Sequence, residues 1–293
     1  MPSFRKNALN MLSLASGKLL TGMSVGDREA MAHHIAHQRS RSDVTAFASF
    51  AKEVVEHYHG ISNTLWTNGE KVLIDRLGPL SFKMIFDAGA NEGKWSKLAY
   101  EAHAEAAIHA FEIVPDTFAI MKDNIGALSD RVTLNSMGLA DAAGSVSVRV
   151  DPNSTVLSSM LPADTSEGDT TVTIDCKVSS GAAYCQQHGI DRIDFLKIDV
   201  EGAEEKVIKG FEPLIKAKKI RLVQFEYNRG AIVSGFLLRD FYRYFEPKGY
   251  VLGKLFPDGV QFHDYTFAHE DFRGPNYVAC LADETKIIDA ISL

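Results

Sequence analysis

From residue 84 onward the chain alternates short apolar runs with amphipathic stretches, and turn-forming residues separate them. The apolar runs predict strands at 84–88, 107–113, 132–138, 194–199 and 221–227. The amphipathic stretches predict helices near 94–103, 116–127, 179–188, 203–216 and 236–246. Strands separated by helices indicate an α/β fold, in which a mostly parallel sheet carries helices on both faces.

Two regions of this part depart from the alternation. Residues 145–150 and 171–178 alternate polar and apolar side chains, which predicts half-buried antiparallel strands, and the polar stretch 151–169 joins them as a lid or a mobile loop. Near the end of the chain, 250–256 and 276–281 predict two closing strands.

Residues 1–80 are helical in pattern, and we predict an N-terminal helical extension followed by one domain over 81–293. A helix is predicted at 44–58. The apolar run 8–15 follows two basic residues and predicts an amphipathic helix that packs on the domain or a partner; weak membrane-surface contact is the alternative. No run of about 18 apolar residues occurs, so no membrane-spanning helix is predicted.

The composition argues against some classes of function but does not identify the activity. The net charge of −7 gives no global attraction to nucleic acid, and 45% hydrophobic with 24% charged residues is ordinary for a globular protein. Cys176, Cys185 and Cys280 follow no disulfide or zinc pattern, which predicts reduced thiols and a cytoplasmic protein. The oligomeric state stays open.

The segment 84–93 joins a predicted strand to a predicted helix through a turn that contains Gly89, Asn91 and Gly93. Glycine is needed where the backbone curves sharply or meets a ligand or a helix closely, because a Cβ would collide there. The next strand ends at Glu112, about 20 positions on, where a carboxylate can accept hydrogen bonds from a ribose diol. These features predict a nucleoside-binding crevice, although such glycine turns are often only structural.

The glycine spacing helps to identify the nucleoside. It is neither the dinucleotide fingerprint nor the phosphate-binding loop of nucleotide hydrolases. Asp87 lies directly before the turn, where it would repel a phosphate and attract an ammonium group. S-adenosylmethionine carries an ammonium group and a ribose diol but no phosphate, so the residues favour this cofactor.

A second segment carries a family resemblance. The run Leu-Lys-Ile-Asp-Val-Glu-Gly-Ala-Glu at 196–204, together with 86–93, 111–116, 138–141 and 189–194, closely resembles the FkbM family of S-adenosylmethionine-dependent methyltransferases. The resemblance extends from about residue 85 to 227. It implies a Rossmann-like class I methyltransferase fold, with a mostly parallel seven-stranded sheet and a closing antiparallel hairpin. It also implies O-methylation of a hydroxyl on a polyketide-like small molecule, a sugar or a glycan.

Asp199 and Glu201 are the predicted catalytic residues. Both follow an apolar strand, where alternation sends them to the same side, and a carboxylate there can orient a hydroxyl or take its proton. The structural alternative is that they pair with Lys197 or Lys206, or cap the following helix. Glu204 is interpreted as such a cap.

The predicted cofactor-binding residues are Asp87, Gly89, Asn91, Gly93, Glu112 and Asp141. Asp141 is expected to bind the adenine amino group; its alternative role is to stabilise a turn before Gly144.

Two alternatives complete the prediction. A magnesium ion could bind Asp199, Glu226 and Asn228 at neighbouring strand ends, but the residues favour a site with no metal. The chain could also be a catalytically inactive S-adenosylmethionine-binding or partner subunit. The glycine spacing does not match that of a dehydrogenase. An active methyltransferase is the leading hypothesis because Glu112 and Asp199 are both present.

Overall fold

The computed structural model describes residues 17–59, 61–62, 64–128, 130–151, 154–159, 172–272, 274 and 276–293, and side chains are described except over 151–159. The predicted helix at 8–15 and most of the polar stretch 151–169 lie outside these residues. The chain divides into two compact units, Met1–Glu56 and His57–Leu293. The second unit therefore begins well before residue 81, where the sequence placed the domain boundary.

The first unit contains helix α1 (Val25–Ala36) and helix α2 (Ser42–Tyr58) as far as Glu56. Helix α2 corresponds to the predicted helix at 44–58. Ser24 caps α1, since its side chain accepts a hydrogen bond from the backbone N–H of Asp27 at 3.1 Å. Among the described residues, no helix is long and apolar enough to cross a membrane.

The second unit is an α/β structure whose strands follow the predicted order. The strands of its main sheet are β1 (Met84–Ala88), β2 (Ala107–Glu112), β3 (Val132–Ser136), β8 (Ile193–Ile198), β9 (Ile220–Glu226), β10 (Tyr250–Phe256), β11 (Gly259–Phe262) and β12 (Asn276–Leu281). The order across the sheet is β11-β10-β12-β9-β8-β1-β2-β3. Strands β3, β2, β1, β8 and β9 are parallel to one another, β12 is antiparallel to β9, and β10 is antiparallel to β12.

This arrangement confirms the predicted mostly parallel sheet and the closing antiparallel strands. Over the described residues the sheet has eight strands because β11 adds to the edge beside β10, one more than the seven expected. Strand β11 is short and follows β10 after a turn at Pro257 and Asp258, so its apolar pattern is too brief to stand out in the sequence.

Helices alternate with these strands, as expected. They are α3 (Glu70–Leu77), α4 (Lys94–Ala102), α5 (Pro115–Ile125), α6 (Gly181–His188), α7 (Glu204–Gly210), α8 (Glu212–Lys216), α9 (Gly230–Ser234), α10 (Leu238–Phe245) and α11 (Thr285–Ile291), with 3₁₀ turns at Gly78–Leu80, Gly126–Leu128, Glu246–Lys248 and Phe267–His269. The predicted helix at 203–216 divides into α7 and α8. Pro213 lies in the first turn of α8 and cannot donate a backbone hydrogen bond, which explains the break.

A second sheet lies in the region that departs from the alternation. Its described strands have the order β4-β7-β5-β6, from β4 (Gly138–Ala140), β5 (Gly144–Asp151), β6 (Ser154–Ser159) and β7 (Val172–Ser180). Strands β5 and β7 are antiparallel, as the sequence predicted. The segment that forms β6 was predicted as a loop, because its Ser- and Thr-rich composition gives little apolar alternation.

The core lies on both faces of the main sheet, and the central strands are its most buried part. Every residue of β8 is buried, and β1 is buried from Ile85 to Ala88. Three charged side chains lie within this layer: Asp194 at the start of β8, at 7% exposure, and Asp87 and Lys197 farther along their strands, at 0% and 3%. A buried charge is tolerated only when it is paired, so Asp87 and Lys197 indicate a polar site at the sheet's centre.

Gly89 joins the ends of β1 and β8. Its φ is +84°, and a Cβ at this position would overlap the backbone carbonyl of Asp199. The backbone N–H of Asp199 also donates to the carbonyl of Ala88 at 2.9 Å. The close approach that requires this glycine is therefore to the neighbouring strand end, and the approach at Gly93 is to Met121 and Ile125 of α5.

Replacing Gly89 by alanine should lower the free energy of unfolding by about 3 kcal/mol or more, because it combines left-handed strain with a backbone clash. Gly189→Ala is the matched control, since Gly189 has a φ of +64° and open space around it. That variant should lose only about 1–2 kcal/mol. Urea unfolding measures both, and equal losses would show that the contact with Asp199 has no energetic weight.

Candidate active site

The carboxyl ends of β1, β2, β8 and β9 open into one cavity of about 320 Å³. This is the edge at which open α/β sheets bind ligands, and the volume is within the range of small-molecule sites. Of the predicted site residues, the cavity wall includes Gly89, Asn91, Glu112, Asp199 and Glu201.

Glu112 ends β2 and is 6% exposed. Its carboxylate accepts hydrogen bonds from the backbone N–H groups of Asn91 at 2.9 Å and Val114 at 2.8 Å, so it holds the glycine turn against β2. Each oxygen keeps a further lone pair for a ligand hydroxyl. Burial raises the pKa of Glu112, although its backbone hydrogen bonds oppose this.

The rest of this end suits a nucleoside. Its wall is mostly apolar, with Phe111, Ile113, Leu139 and Val148. Asn91 lies between the glycines with a φ of +48°, and its buried side-chain oxygen has no hydrogen-bond partner among the described residues. An apolar wall, a carboxylate and an unpaired amide oxygen fit the adenine, ribose and ammonium groups of S-adenosylmethionine.

Asp87 does not lie on the cavity wall, contrary to the expectation that it would attract the cofactor's ammonium group. It is fully buried beneath the glycine turn, where one oxygen accepts a hydrogen bond from the Ser96 hydroxyl at 2.7 Å and the other lies 3.3 Å from the Lys197 ammonium. Alternation along β1 points Asp87 toward its parallel neighbour Lys197 on β8, so it serves as a counter-ion.

Lys197 is a site residue that sequence reasoning considered only as a structural partner. Its ammonium lies 3.2 Å from Asp199 and 3.3 Å from Asp87, and it donates to the carbonyl of Gly89 at 3.4 Å. Burial alone would lower the pKa of Lys197, but Asp199, Asp87 and Glu70 together raise it, so the lysine stays charged. The signal in the sequence was a lysine between the apolar residues Leu196 and Ile198 of a predicted strand.

Asp199, Glu201 and Glu226 form a carboxyl cluster at the ends of β8 and β9. One oxygen of each lies within 4.8 Å of the others. Burial, followed by the neighbouring carboxylates of Asp199 and Glu204, raises the pKa of Glu201 to about 7. Burial and the carboxylates of Asp199, Glu201 and Glu204 raise the pKa of Glu226 to about 10. One buried oxygen of Glu226 has no hydrogen-bond partner among the described residues.

Three other predicted residues lie away from the cavity wall. Asn228 accepts a hydrogen bond from the backbone N–H of Gly230 at 2.6 Å, so its side chain stabilises a turn. Glu204 accepts from the N–H groups of Val200 and Gly202, both at 3.1 Å, in the structural role that the sequence predicted. Asp141 is exposed, and its carboxylate interacts electrostatically with Lys209.

The segment before the main sheet supplies one wall of the cavity, which the sequence analysis did not predict. Ser62, Leu65, Asn68 and Glu70 line it. Glu70 is 3% exposed, and its two oxygens accept hydrogen bonds from the amides of Asn68 at 2.7 Å and Gln224 at 2.6 Å. Burial raises the pKa of Glu70, and Lys197 opposes that shift.

The family model described as the methyltransferase FkbM domain matches residues 87–252, more than half of the chain. The chain belongs to this family. The fold and the family resemblance that the sequence predicted are thus confirmed, and S-adenosylmethionine is the methyl donor that the family uses.

Three relatives illustrate the similarity. The methyltransferase sdnD of Sordaria araneosa is 30% identical over 156 residues, which cover 44% of this chain and 60% of that protein. The 31-O-demethyl-FK506 methyltransferase FkbM of Streptomyces tacrolimicus is 29% identical, over 44% of this chain and 59% of that protein. The 2-O-methyltransferase NoeI of Sinorhizobium fredii is 26% identical, over 52% and 66%. The chain thus spans about three fifths of the length of these relatives.

Glu112→Ala should weaken the binding of S-adenosylhomocysteine, since each hydrogen bond to a charged acceptor contributes about 1.5–3 kcal/mol. Calorimetry with wild type and variant measures the loss. Asp116→Ala is the control, because Asp116 is exposed on the first turn of α5 and is not on the cavity wall. Unchanged affinity in Glu112→Ala would refute the role of Glu112, and measurable binding of NAD would refute the cofactor assignment.

Proposed function

We propose that this protein transfers a methyl group from S-adenosylmethionine to a hydroxyl of a sugar, a glycan or a polyketide-like small molecule. The observation that carries the proposal is the arrangement of the cavity. The carboxyl cluster of Asp199, Glu201 and Glu226 opens into the same space as Glu112 and Asn91. A carboxylate beside a methyl donor suits an acceptor that must lose a proton.

The relatives support oxygen as the acceptor atom. Two of them carry names that specify O-methylation, one acting on 31-O-demethyl-FK506 and one described as a 2-O-methyltransferase. Their identity to this chain is below one third, so the acceptor itself is assigned only as a class.

When bound, S-adenosylmethionine supplies an electrophilic methyl group. The protein's part is to hold the acceptor hydroxyl in line and to receive its proton. Asp199 is suited to orienting a hydroxyl because its position is fixed on one side by Lys197, at 3.2 Å, and its side chain is one third exposed. Glu201 follows at the turn after β8 with a φ of +53°, and it lines the same space.

The neighbouring wall explains how the acceptor could be recognised. Asn276 and Asn68 both line the cavity with neutral amides. Asn276 lies opposite Glu226 in the register of β12 and β9, and Asn68 donates to Glu70. Amides that can donate and accept are suited to hydroxyl groups. We therefore assign this side to the acceptor and the Glu112 side to the cofactor.

The direct test measures S-adenosylhomocysteine formation with a panel of hydroxyl-bearing sugars, glycans and polyketides, followed by mass spectrometry of the product. The expected product is a methyl ether. Methylation of an amine or a carbon atom in place of a hydroxyl would contradict the proposal. Tight cofactor binding without turnover on any acceptor would favour the alternative of an inactive binding subunit.

Asp199→Asn should reduce turnover about 10²–10⁴-fold, because the amide keeps the shape of the side chain but cannot accept a proton. Affinity for S-adenosylhomocysteine should stay within about threefold, as only the acceptor side changes. Asp191→Asn is the control, since the Asp191 side chain is 96% exposed. Full activity of Asp199→Asn would leave Asp199 with only the structural role of pairing with Lys197.

A further inference from the structure

The carboxyl cluster brings three acidic side chains to the ends of two adjoining strands. The ammonium of Lys197 lies beside it, 3.2 Å from Asp199, but it is shared with Asp87 on its other side. Carboxyl groups brought together in a partly buried site repel one another unless a proton or a cation lies between them.

The spacing of these carboxyl groups fits a metal ion. One oxygen from each of Asp199, Glu201 and Glu226 lies within 4.8 Å of the others. Hard divalent cations bind oxygen ligands at about 2.0–2.6 Å, so two ligands of one ion are at most about 5 Å apart. The three oxygens can therefore reach a common ion with only small rotations of their side chains.

Glu226 has an oxygen that lacks a partner. This oxygen is buried, and it makes no hydrogen bond to any residue that the structure describes, although Glu226 lines the cavity. Buried polar atoms normally have partners, so an unpaired carboxylate oxygen beside a cavity indicates a missing ligand. Carboxylate oxygens are the ligands that Mg²⁺ and Ca²⁺ prefer.

Gln224 is a buried neighbour of Glu226 on β9 and lies outside the cavity wall. It is 0% exposed, and its side-chain oxygen also has no hydrogen-bond partner among the described residues. It precedes Glu226 by two positions on β9, so both side chains leave the same face of the sheet. Its register partner on β8 is Lys197, and its side chain donates a hydrogen bond to Glu70. Both of these residues line the cavity. Gln224 thus connects β9 to Glu70 on the cavity wall.

Asn276 completes the surroundings of the cluster. It is 3% exposed, lines the cavity and is the register partner of Glu226 across β12 and β9, which places the two side chains on the same face. An acidic residue at this position would therefore add its charge directly beside the cluster.

We infer that Asp199, Glu201 and Glu226 bind a hard divalent cation such as Mg²⁺ or Ca²⁺, with Asn276 as their neutral neighbour. The inference departs from the metal-free site that the sequence favoured, and the structure replaces Asn228 by Glu201 in the ligand set. It deepens the proposed function, on which its catalytic meaning rests: a cation there would acidify an acceptor hydroxyl. The binding of the cation is a separate property of the chain and can be tested without turnover.

Mn²⁺ is the probe, because its free form is measured by electron paramagnetic resonance. Wild type should bind one Mn²⁺ per chain with a Kd below about 1 mM, and Mg²⁺ or Ca²⁺ should displace it; the stronger competitor identifies the preferred ion. No binding by wild type at concentrations up to about 10 mM, with or without S-adenosylhomocysteine, would overturn the inference.

Two variants should shift this affinity in opposite directions. Glu226→Gln removes one charge and should weaken Mn²⁺ binding about tenfold or more, whereas Asn276→Asp adds one and should strengthen it several-fold. Glu212→Gln is the matched control, because it makes the same glutamate-to-glutamine substitution on α8, outside the cluster. This variant should keep the wild-type affinity for Mn²⁺. Any other pattern among the three variants would overturn the assignment of these ligands.

Two further measurements separate this inference from misfolding and from the proposed function. The unfolding temperature of Glu226→Gln without cation should equal or exceed that of wild type, since a repelling carboxyl is gone; a fall would show that Glu226 is structural and would overturn its role as a ligand. Calorimetry with S-adenosylhomocysteine on the same samples tests the cofactor site alone. Cofactor binding without Mn²⁺ binding would overturn the metal site and leave the proposed methyl transfer intact.

Discussion

The buried ammonium of Lys197 is the interaction on which the site depends. It lies at the centre of the sheet, 3% exposed, with carboxylates of Asp87 and Asp199 at 3.3 and 3.2 Å. Removing Lys197 would leave the fully buried carboxylate of Asp87 without its ion-pair partner, a type of change that costs about 3–5 kcal/mol. Lys197 thus allows β1 and β8 to carry acidic residues at adjoining positions, and it fixes one side of Asp199, which also lines the cavity.

Backbone contacts around Lys197 make the site rigid. The carbonyl of Gly89 accepts from Lys197, and a side chain at Gly89 would displace the carbonyl of Asp199. The glycine turn, in turn, is attached to β2 through Glu112, which accepts the N–H of Asn91. The proposed cofactor side and the proposed acceptor side are therefore connected through backbone, so a shift of one strand end would move groups on both sides.

The sequence predicted the parts of this structure that have local signals. Strands β1, β2, β3, β5, β7, β8 and β9, the glycine turn and the position of Glu112 follow from apolar runs and turn residues. The three-residue β4 and the Ser-rich β6 were not predicted. Asp87 was assigned to a ligand because its place before the turn is visible in the sequence, whereas its pairing with Lys197 depends on the register of two distant strands. The wall that contains Glu70 depends on tertiary packing in the same way, since no local pattern relates Glu70 to Gln224.

Glu70 and Asn68 also lie outside residues 87–252, the part that the family model matches. The family-matched residues include Glu112 and the carboxyl cluster, whereas part of the wall that we propose binds the acceptor comes from the segment that precedes them. A ligand-facing wall that is separate from the shared fold can change without disturbing β1, β2 or β8. This difference gives a physical reason why the family match, which includes the fold and the carboxyl cluster, leaves the acceptor to be determined by experiment.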